Sequence, residues 1–121
     1  MEKTIFVVDD SGTNLSVAEE ALEKQYRVIT LASAARMFAI LKKVTPDLIL
    51  LDIEMPEMNG FEAIEQLKAG DFSEIPVIFL TAMKDAAYEA RGIELGAVDF
   101  ISKPFSESEL LDRVEKYLRP T

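Results

Sequence analysis

The 121-residue chain contains no cysteine and no histidine. The first absence excludes disulfides, thiolate nucleophiles, iron–sulfur clusters and cysteine zinc sites. The second excludes a Ser-His-Asp relay, an imidazole base near neutral pH and a phosphohistidine on this chain. Any covalent phosphate must therefore sit on Ser, Thr, Tyr or a carboxylate. Positive charge is scarce as well: 13 Lys plus Arg stand against 22 Asp plus Glu, a net charge of −9. Binding to a phosphate backbone draws on Lys and Arg releasing counterions, so no direct contact with nucleic acid is expected. Long apolar runs are missing too. Ile5-Phe6-Val7-Val8 is too short for a signal peptide, and no stretch approaches a membrane span, which makes the cytoplasm the expected compartment. What remains suits one soluble acidic domain with a single core, since a chain of this length buries roughly two-thirds of its unfolded surface.

Short apolar runs cover residues 4–8, 27–31, 48–51, 76–80 and 99–101, each followed by a segment with helical spacing. The first, third and fourth are Leu-rich or β-branched with almost no polar alternation, which fits parallel strands buried on both faces. The first helix is predicted over 13–24, with Val17, Ala18, Ala21 and Leu22 inward and Leu15 on the flank. The second covers 33–43, with Ser33 as N-cap, Pro46 beyond its end and an inner stripe of Ala34, Phe38 and Leu41. A third, over 60–69, has Asn59 to cap it, Phe61, Ile64 and Leu67 facing inward, and Gly70 to end it in a left-handed conformation. The fourth, over 86–95, is the weakest pattern, because it is Ala-rich and has Gly92 inside it. The fifth, over 106–118, opens on a Ser106/Glu109 capping box and carries a stripe of Leu110, Leu111, Val114 and Leu118. Five βα units without a linker, repeat or low-complexity tract imply one α/β domain over residues 1–121. It is a doubly wound parallel sheet between two helical layers.

In such sheets the chemistry sits beyond the carboxyl ends of the strands. Asp9 and Asp10 follow the first run, Asp52 the third, Thr81-Ala82 ends the fourth, and Lys103-Pro104 follows the fifth. If the first and third strands are neighbours, about 4.8 Å apart, three carboxylates converge and need a cation or shared protons. Hard oxygens without His or Cys suit Mg²⁺, which commonly serves phosphoryl groups. Lys103 would supply a point charge, Thr81 a hydroxyl, and the backbone near Ala82 an N–H donor to phosphoryl oxygens. A carboxylate placed in line could then accept the phosphoryl group as an acyl phosphate. Singly, these residues have plainer roles: an Asp after a strand is usually a turn residue or cap, and a Lys a solvated charge. Together, at four strand ends, they make a constellation.

At these residues the whole chain resembles the receiver domain of bacterial two-component response regulators. The matching strings are Val8-Asp9-Asp10, Leu50-Leu51-Asp52-Ile53-Glu54-Met55-Pro56 with Asn59-Gly60, Leu80-Thr81-Ala82, and Gly96 through Phe105 with Lys103-Pro104. The resemblance implies a flavodoxin-like five-stranded sheet in the order 2-1-3-4-5. It implies that a histidine kinase or histidine phosphotransfer protein donates a phosphoryl group to Asp52. Asp9, Asp10, Asp52 and the Glu54 backbone carbonyl would hold Mg²⁺, with Mn²⁺ as an alternative. Thr81, the Ala82 backbone and Lys103 would grip the phosphoryl oxygens, and Thr81 and Phe100 would act as the switch. It further implies a cis Lys103–Pro104 peptide, tuning of phosphoryl lifetime by Glu54 and Met83, and donor docking near Leu15. Phe100 lacks the hydroxyl of the Tyr that many relatives carry. The altered surface would be the fourth helix, fifth strand and fifth helix, which would engage a downstream effector protein, an output domain or a second copy of the chain. No output domain is expected within the 121 residues, and no catalysis beyond the domain's own phosphorylation and dephosphorylation.

Three other readings fit less well. A haloacid-dehalogenase-type phosphohydrolase needs an Asp-x-Asp signature, whereas Ser11 and Gly12 stand two positions beyond Asp9 and Asp10. A flavodoxin-like electron carrier needs a phosphate loop after the first strand, where Asp9 and Asp10 would repel its ligand. A scaffold that is never phosphorylated would not need the complete set of site residues.

Overall fold

The structure is a computed structural model that describes residues 2–118. The chain end, residues 119–121, lies outside the described residues. Strands and helices alternate: β1 (Thr4–Val8), α1 (Gly12–Leu22), β2 (Arg27–Leu31), α2 (Ala34–Leu41), β3 (Leu48–Asp52), α3 (Gly60–Ala69), β4 (Val77–Thr81), α4 (Ala86–Leu95), β5 (Asp99–Ser102) and α5 (Glu107–Tyr117). The strands form one parallel sheet in the expected order β2-β1-β3-β4-β5.

Period-two alternation splits the strand side chains between two cores. Phe6, Val8, Ile49, Leu51, Val77 and Phe79 point to the layer of α2 and α3, joined by Met37, Leu41, Ile64 and Leu67. Ile5, Val7, Leu48, Leu50, Ile78, Leu80 and Ile101 point to the layer of α1 and α5, joined by Leu22, Leu110 and Val114. Both faces of the three central strands are thereby sealed, which explains their near-continuous apolar sequence. The Tyr26 hydroxyl, buried in the second core, donates to the Leu118 carbonyl at 2.6 Å and ties the start of β2 to the end of α5. The α4–β5 side is packed more lightly. β5 is an edge strand paired only with β4, and α4 buries only Gly92 of its ten residues.

Several expectations shift. β3, β4 and β5 each run one residue further than the apolar runs predict, because Asp52, Thr81 and Ser102 still join the ladder. The site residues Asp52 and Thr81 are thus strand residues held in register. α1 starts at Gly12, with Ser11 as the cap. α2 is shorter than 33–43, and Met37 is fully buried where the predicted stripe had the half-buried Phe38. Met37 lies three residues after Ala34 and four before Leu41, so it completes their face. Gly70 is not left-handed: its φ is −124° and ψ −154°. The chain leaves α3 on an extended path, and the Lys68 ammonium donates to the Ser73 and Ile75 carbonyls at 3.0 and 3.3 Å. The left-handed cap is Gly96, φ 116°, at the end of α4.

Candidate functional site

The carboxyl ends of β1 and β3 are adjacent, with Val8 paired to Leu51, so the residues that follow meet at one edge. Asp9 is fully buried. Its Oδ1 accepts the Ser11 N–H at 2.9 Å, while Oδ2 accepts the Asn14 side-chain amide at 3.2 Å and the Lys103 ammonium at 3.0 Å. Asp52 is equally buried, and its Oδ1 accepts Lys103 at 2.9 Å and the Glu54 N–H at 3.2 Å. Asp52 Oδ2 is buried without a hydrogen-bond partner among the described residues. Asp10, exposed, completes a triad in which one carboxylate oxygen from each of Asp9, Asp10 and Asp52 lies within 4.8 Å of the others. An orphaned buried carboxylate oxygen is costly. Three converging hard oxygens make this a site that could hold a metal ion, and the donor set fits a divalent cation of the Mg²⁺ kind.

The electrostatics follow from the burial. Desolvation pushes the Asp52 carboxyl up to about 7 from its usual 3.8; the hydrogen bond and charge of Lys103 oppose the rise, and Asp9 adds to it. Burial alone would lower Lys103, but its hydrogen bonds to Asp52 and Asp9 prevail and hold the ammonium above the ordinary lysine value. Lys103 therefore remains a cation bridging two acids. The peptide bond between Lys103 and Pro104 is cis.

Thr81 ends β4 beside Asp52, one strand over, and is buried. Its hydroxyl donates to Glu54 Oε2 at 2.9 Å and accepts the Met83 N–H at 2.9 Å. The Ala82 N–H donates to Glu54 Oε1 at 3.3 Å. The two donors expected to face a phosphoryl group are thus engaged with a side chain of the β3–α3 loop. Met83 is 46% exposed at the rim. Leu15 is half-buried at the start of α1, against the core of that layer. Phe100 is half-buried, its ring packed on Phe79 with centroids 5.5 Å apart.

Three residues escaped the sequence reading. Asn14 braces Asp9 from the first turn of α1, but a lone Asn there reads as a solvated side chain. Tyr88 donates its hydroxyl to Glu54 Oε2 at 3.1 Å and packs against Phe61, with centroids 4.8 Å apart and the rings tilted by 56°. Its only sequence signal is a single aromatic in an Ala-rich helix. Gly92, read as a weakness of α4, is a clearance. A Cβ there would overlap the Phe100 ring and come within 3.1 Å of Phe79. Gly92→Ala is expected to lose about 1–2 kcal/mol despite its better helix propensity, seen as a lower thermal midpoint. Adding Phe100→Leu should recover most of that loss, and a purely additive double mutant would contradict the clearance.

Comparison with known proteins agrees with this geometry. A protein of Vibrio cholerae named "Probable cyclic di-GMP phosphodiesterase" is 44% identical over 117 residues, which cover 96% of this chain and 26% of that protein. The phosphate regulon transcriptional regulatory protein PhoB of Pseudomonas aeruginosa is 37% identical, across 98% of this chain and 53% of its own length. The chain thus spans between a quarter and a half of these curated relatives. Among solved structures, the chemotaxis protein CheY4 of Vibrio cholerae superposes with a TM-score of 0.92 at 27% identity, covering 98% of this chain and all of that one. The family model of the response regulator receiver domain matches residues 5–115, from the first buried strand to the last turns of α5. With the sheet order, the acidic edge and this match in agreement, the chain belongs to the response regulator receiver domain family.

Proposed function

We propose that this chain is a phosphorylation-dependent switch in which Asp52 accepts a phosphoryl group. Signalling by phosphorylation within two-component systems is the standard function of its family. The observation that carries the reading is the Asp52 carboxylate. It is buried, fixed at Oδ1 by Lys103 and the Glu54 N–H, and left at Oδ2 with a free oxygen on the sheet's carboxyl edge. The donor is a phosphohistidine of a histidine kinase or phosphotransfer protein, since none of these 121 residues is a His. A bond forms between an Asp52 oxygen and phosphorus, the P–N bond to the donor imidazole breaks, and the nitrogen keeps the electron pair.

Asp9, Asp10, Asp52 and the backbone carbonyl of Glu54 would hold Mg²⁺. When bound, the ion supplies charge neutralisation between the carboxylates and the phosphoryl oxygens. Lys103 then shifts its contacts from Asp52 to a phosphoryl oxygen, and Thr81 and the Ala82 N–H bind the others. Movement of Thr81 vacates space at the end of β4, and Phe100, against Gly92 and Phe79, repacks to pass the change to α4, β5 and α5. That face would meet an effector, an output domain or a second copy. Leu15 and the start of α1 would receive the donor, and Glu54 and Met83 would set how long the phosphoryl group lasts.

Residues 1–121 are read as one receiver domain, working in the cytoplasm. None of the helices among the described residues is long and apolar enough to cross a membrane. The domain turns over nothing beyond its own phosphoaspartate; the activity named for the Vibrio cholerae relative is stated of a protein about four times as long.

Intact-mass spectrometry after incubation with acetyl phosphate and Mg²⁺ tests the reading. A gain of one phosphoryl group is expected, lost with chelator and abolished in Asp52→Asn. Label that persists in the mutant would move the acceptor elsewhere. No gain in the wild type from acetyl phosphate or a phosphohistidine donor would leave an unphosphorylated scaffold.

A further inference from the structure

The Glu54 side chain is exposed, yet it gathers three donors. Its Oε2 accepts the Thr81 hydroxyl at 2.9 Å and the Tyr88 hydroxyl at 3.1 Å, and its Oε1 accepts the Ala82 N–H at 3.3 Å. A carboxylate that receives several hydrogen bonds in this way is an anion in a small donor pocket. Two of those donors, Thr81 and Ala82, are the ones a phosphoryl group on Asp52 would need. The third, Tyr88, reaches across from the first turn of α4, where its ring is fixed on Phe61. Burial and the Glu54 carboxylate push the Tyr88 hydroxyl up to about 12, so it stays a donor throughout the neutral range.

We infer that the Glu54 carboxylate is a built-in competitor for the phosphoryl site, seated on Thr81, Ala82 and Tyr88 until an incoming anion displaces it. This deepens the receiver reading and rests on it, and it gives Glu54 a direction of action. The carboxylate opposes entry of the anion rather than holding it. Because one oxygen is shared between Thr81 of β4 and Tyr88 of α4, the same contact ties the β3–α3 loop to α4 in the unphosphorylated state. Displacing it frees the Tyr88 hydroxyl as Thr81 turns to its new partner, so anion entry and release of α4 are one event. Any competitor of this kind lowers apparent affinity by the fraction of molecules in which the seat is taken.

The test is binding of beryllofluoride, a non-covalent phosphoryl analogue, to the full 121-residue chain with Mg²⁺. It is followed by ¹⁹F NMR in wild type, Glu54→Ala, Glu54→Asp and Tyr88→Phe, with Asp52→Asn as a control. Glu54→Ala should bind about five-fold more tightly than wild type. Glu54→Asp keeps the charge but is too short to span the three donors, so it should gain most of that increase. Tyr88→Phe, which leaves every charge in place, should gain about two-fold by loosening the seat. Unchanged affinity in Glu54→Ala would overturn the inference. So would a gain in Glu54→Ala with Glu54→Asp still at wild-type affinity, the pattern of charge repulsion through space. An adduct that forms in none of the proteins, or forms equally in Asp52→Asn, would instead overturn the receiver reading itself.

Discussion

In the presence of chelator at about pH 8, Asp52→Asn is expected to be roughly 2 kcal/mol more stable than the wild type, and at about pH 4 equally stable. The reason is the desolvated carboxyl, which titrates at about 7 in the folded chain against 3.8 ordinarily. Between those values the folded protein keeps a proton that the unfolded chain has released, so stability falls as pH rises through that window. Above about 7 both states are ionised and the penalty is constant; below 3.8 both are protonated and it vanishes. The full difference corresponds to at most about 4 kcal/mol, and the opposing Lys103 and local relaxation reduce what is realised. Asn at this position carries no such charge. Urea unfolding of both proteins at the two pH values checks this, and a gap that fails to widen with pH would contradict it. Saturating Mg²⁺ at the higher pH should raise the wild type and leave the mutant nearly unmoved, closing the gap by mass action.

Gly60→Ala is expected to cost about 3 kcal/mol or more, lowering the thermal midpoint by roughly 10 °C. A Cβ at Gly60 would lie 2.6 Å from the Asp52 carbonyl oxygen and 2.7 Å from the Ile53 Cα, both backbone atoms that no rotamer change can move. The N–H of Gly60 also donates to the Ile53 carbonyl at 2.8 Å, so α3 begins pressed against the end of β3. Relieving the overlap means lifting α3 off the strand or displacing the peptide that carries the Asp52 side chain. Weaker Mg²⁺ binding should therefore accompany the lost stability. Gly12→Ala is the internal comparison, because an added Cβ meets nothing within 4 Å there and the midpoint should hold or rise slightly. Circular dichroism melts of the two mutants decide the point. A Gly60→Ala midpoint within about 2 °C of wild type would show that the close approach is not needed.

Legibility in the sequence followed the range of the interaction concerned. β1, β2, α3 and α4 were readable to the residue, because apolar period, Asn59 and the flanking glycines are local signals. The acidic edge was readable because parallel topology brings strand ends together whatever the loops do, so Asp9, Asp52 and Lys103 converge as their positions imply. Gly70 departs from the left-handed expectation where Lys68 reaches the carbonyls of the next loop, contacts that no local pattern announces. In α2 side-chain size favours Phe38 for the core, but helical spacing places Met37 on the face of Ala34 and Leu41. The Glu54 contacts lie 27, 28 and 34 residues away in sequence, and no pattern within a loop announces partners on another strand and helix. For the same reason Gly92 looked like a defect, when its lack of a side chain makes room for Phe100.

The light packing of the α4–β5 side divides the molecule into regions of unequal local stability. Opening α4 exposes little apolar surface, whereas opening α1, α5 or the central strands exposes Leu, Ile and Phe from a sealed core. The free energy of partial unfolding is therefore lower at this edge than in the central strands, and excursions there occur without the rest of the chain unfolding. Phe100 and Tyr88 both stand at the boundary between these regions. A modest change in hydrogen bonding at Thr81 is then large compared with the stability it acts on, although it is small compared with that of the whole fold.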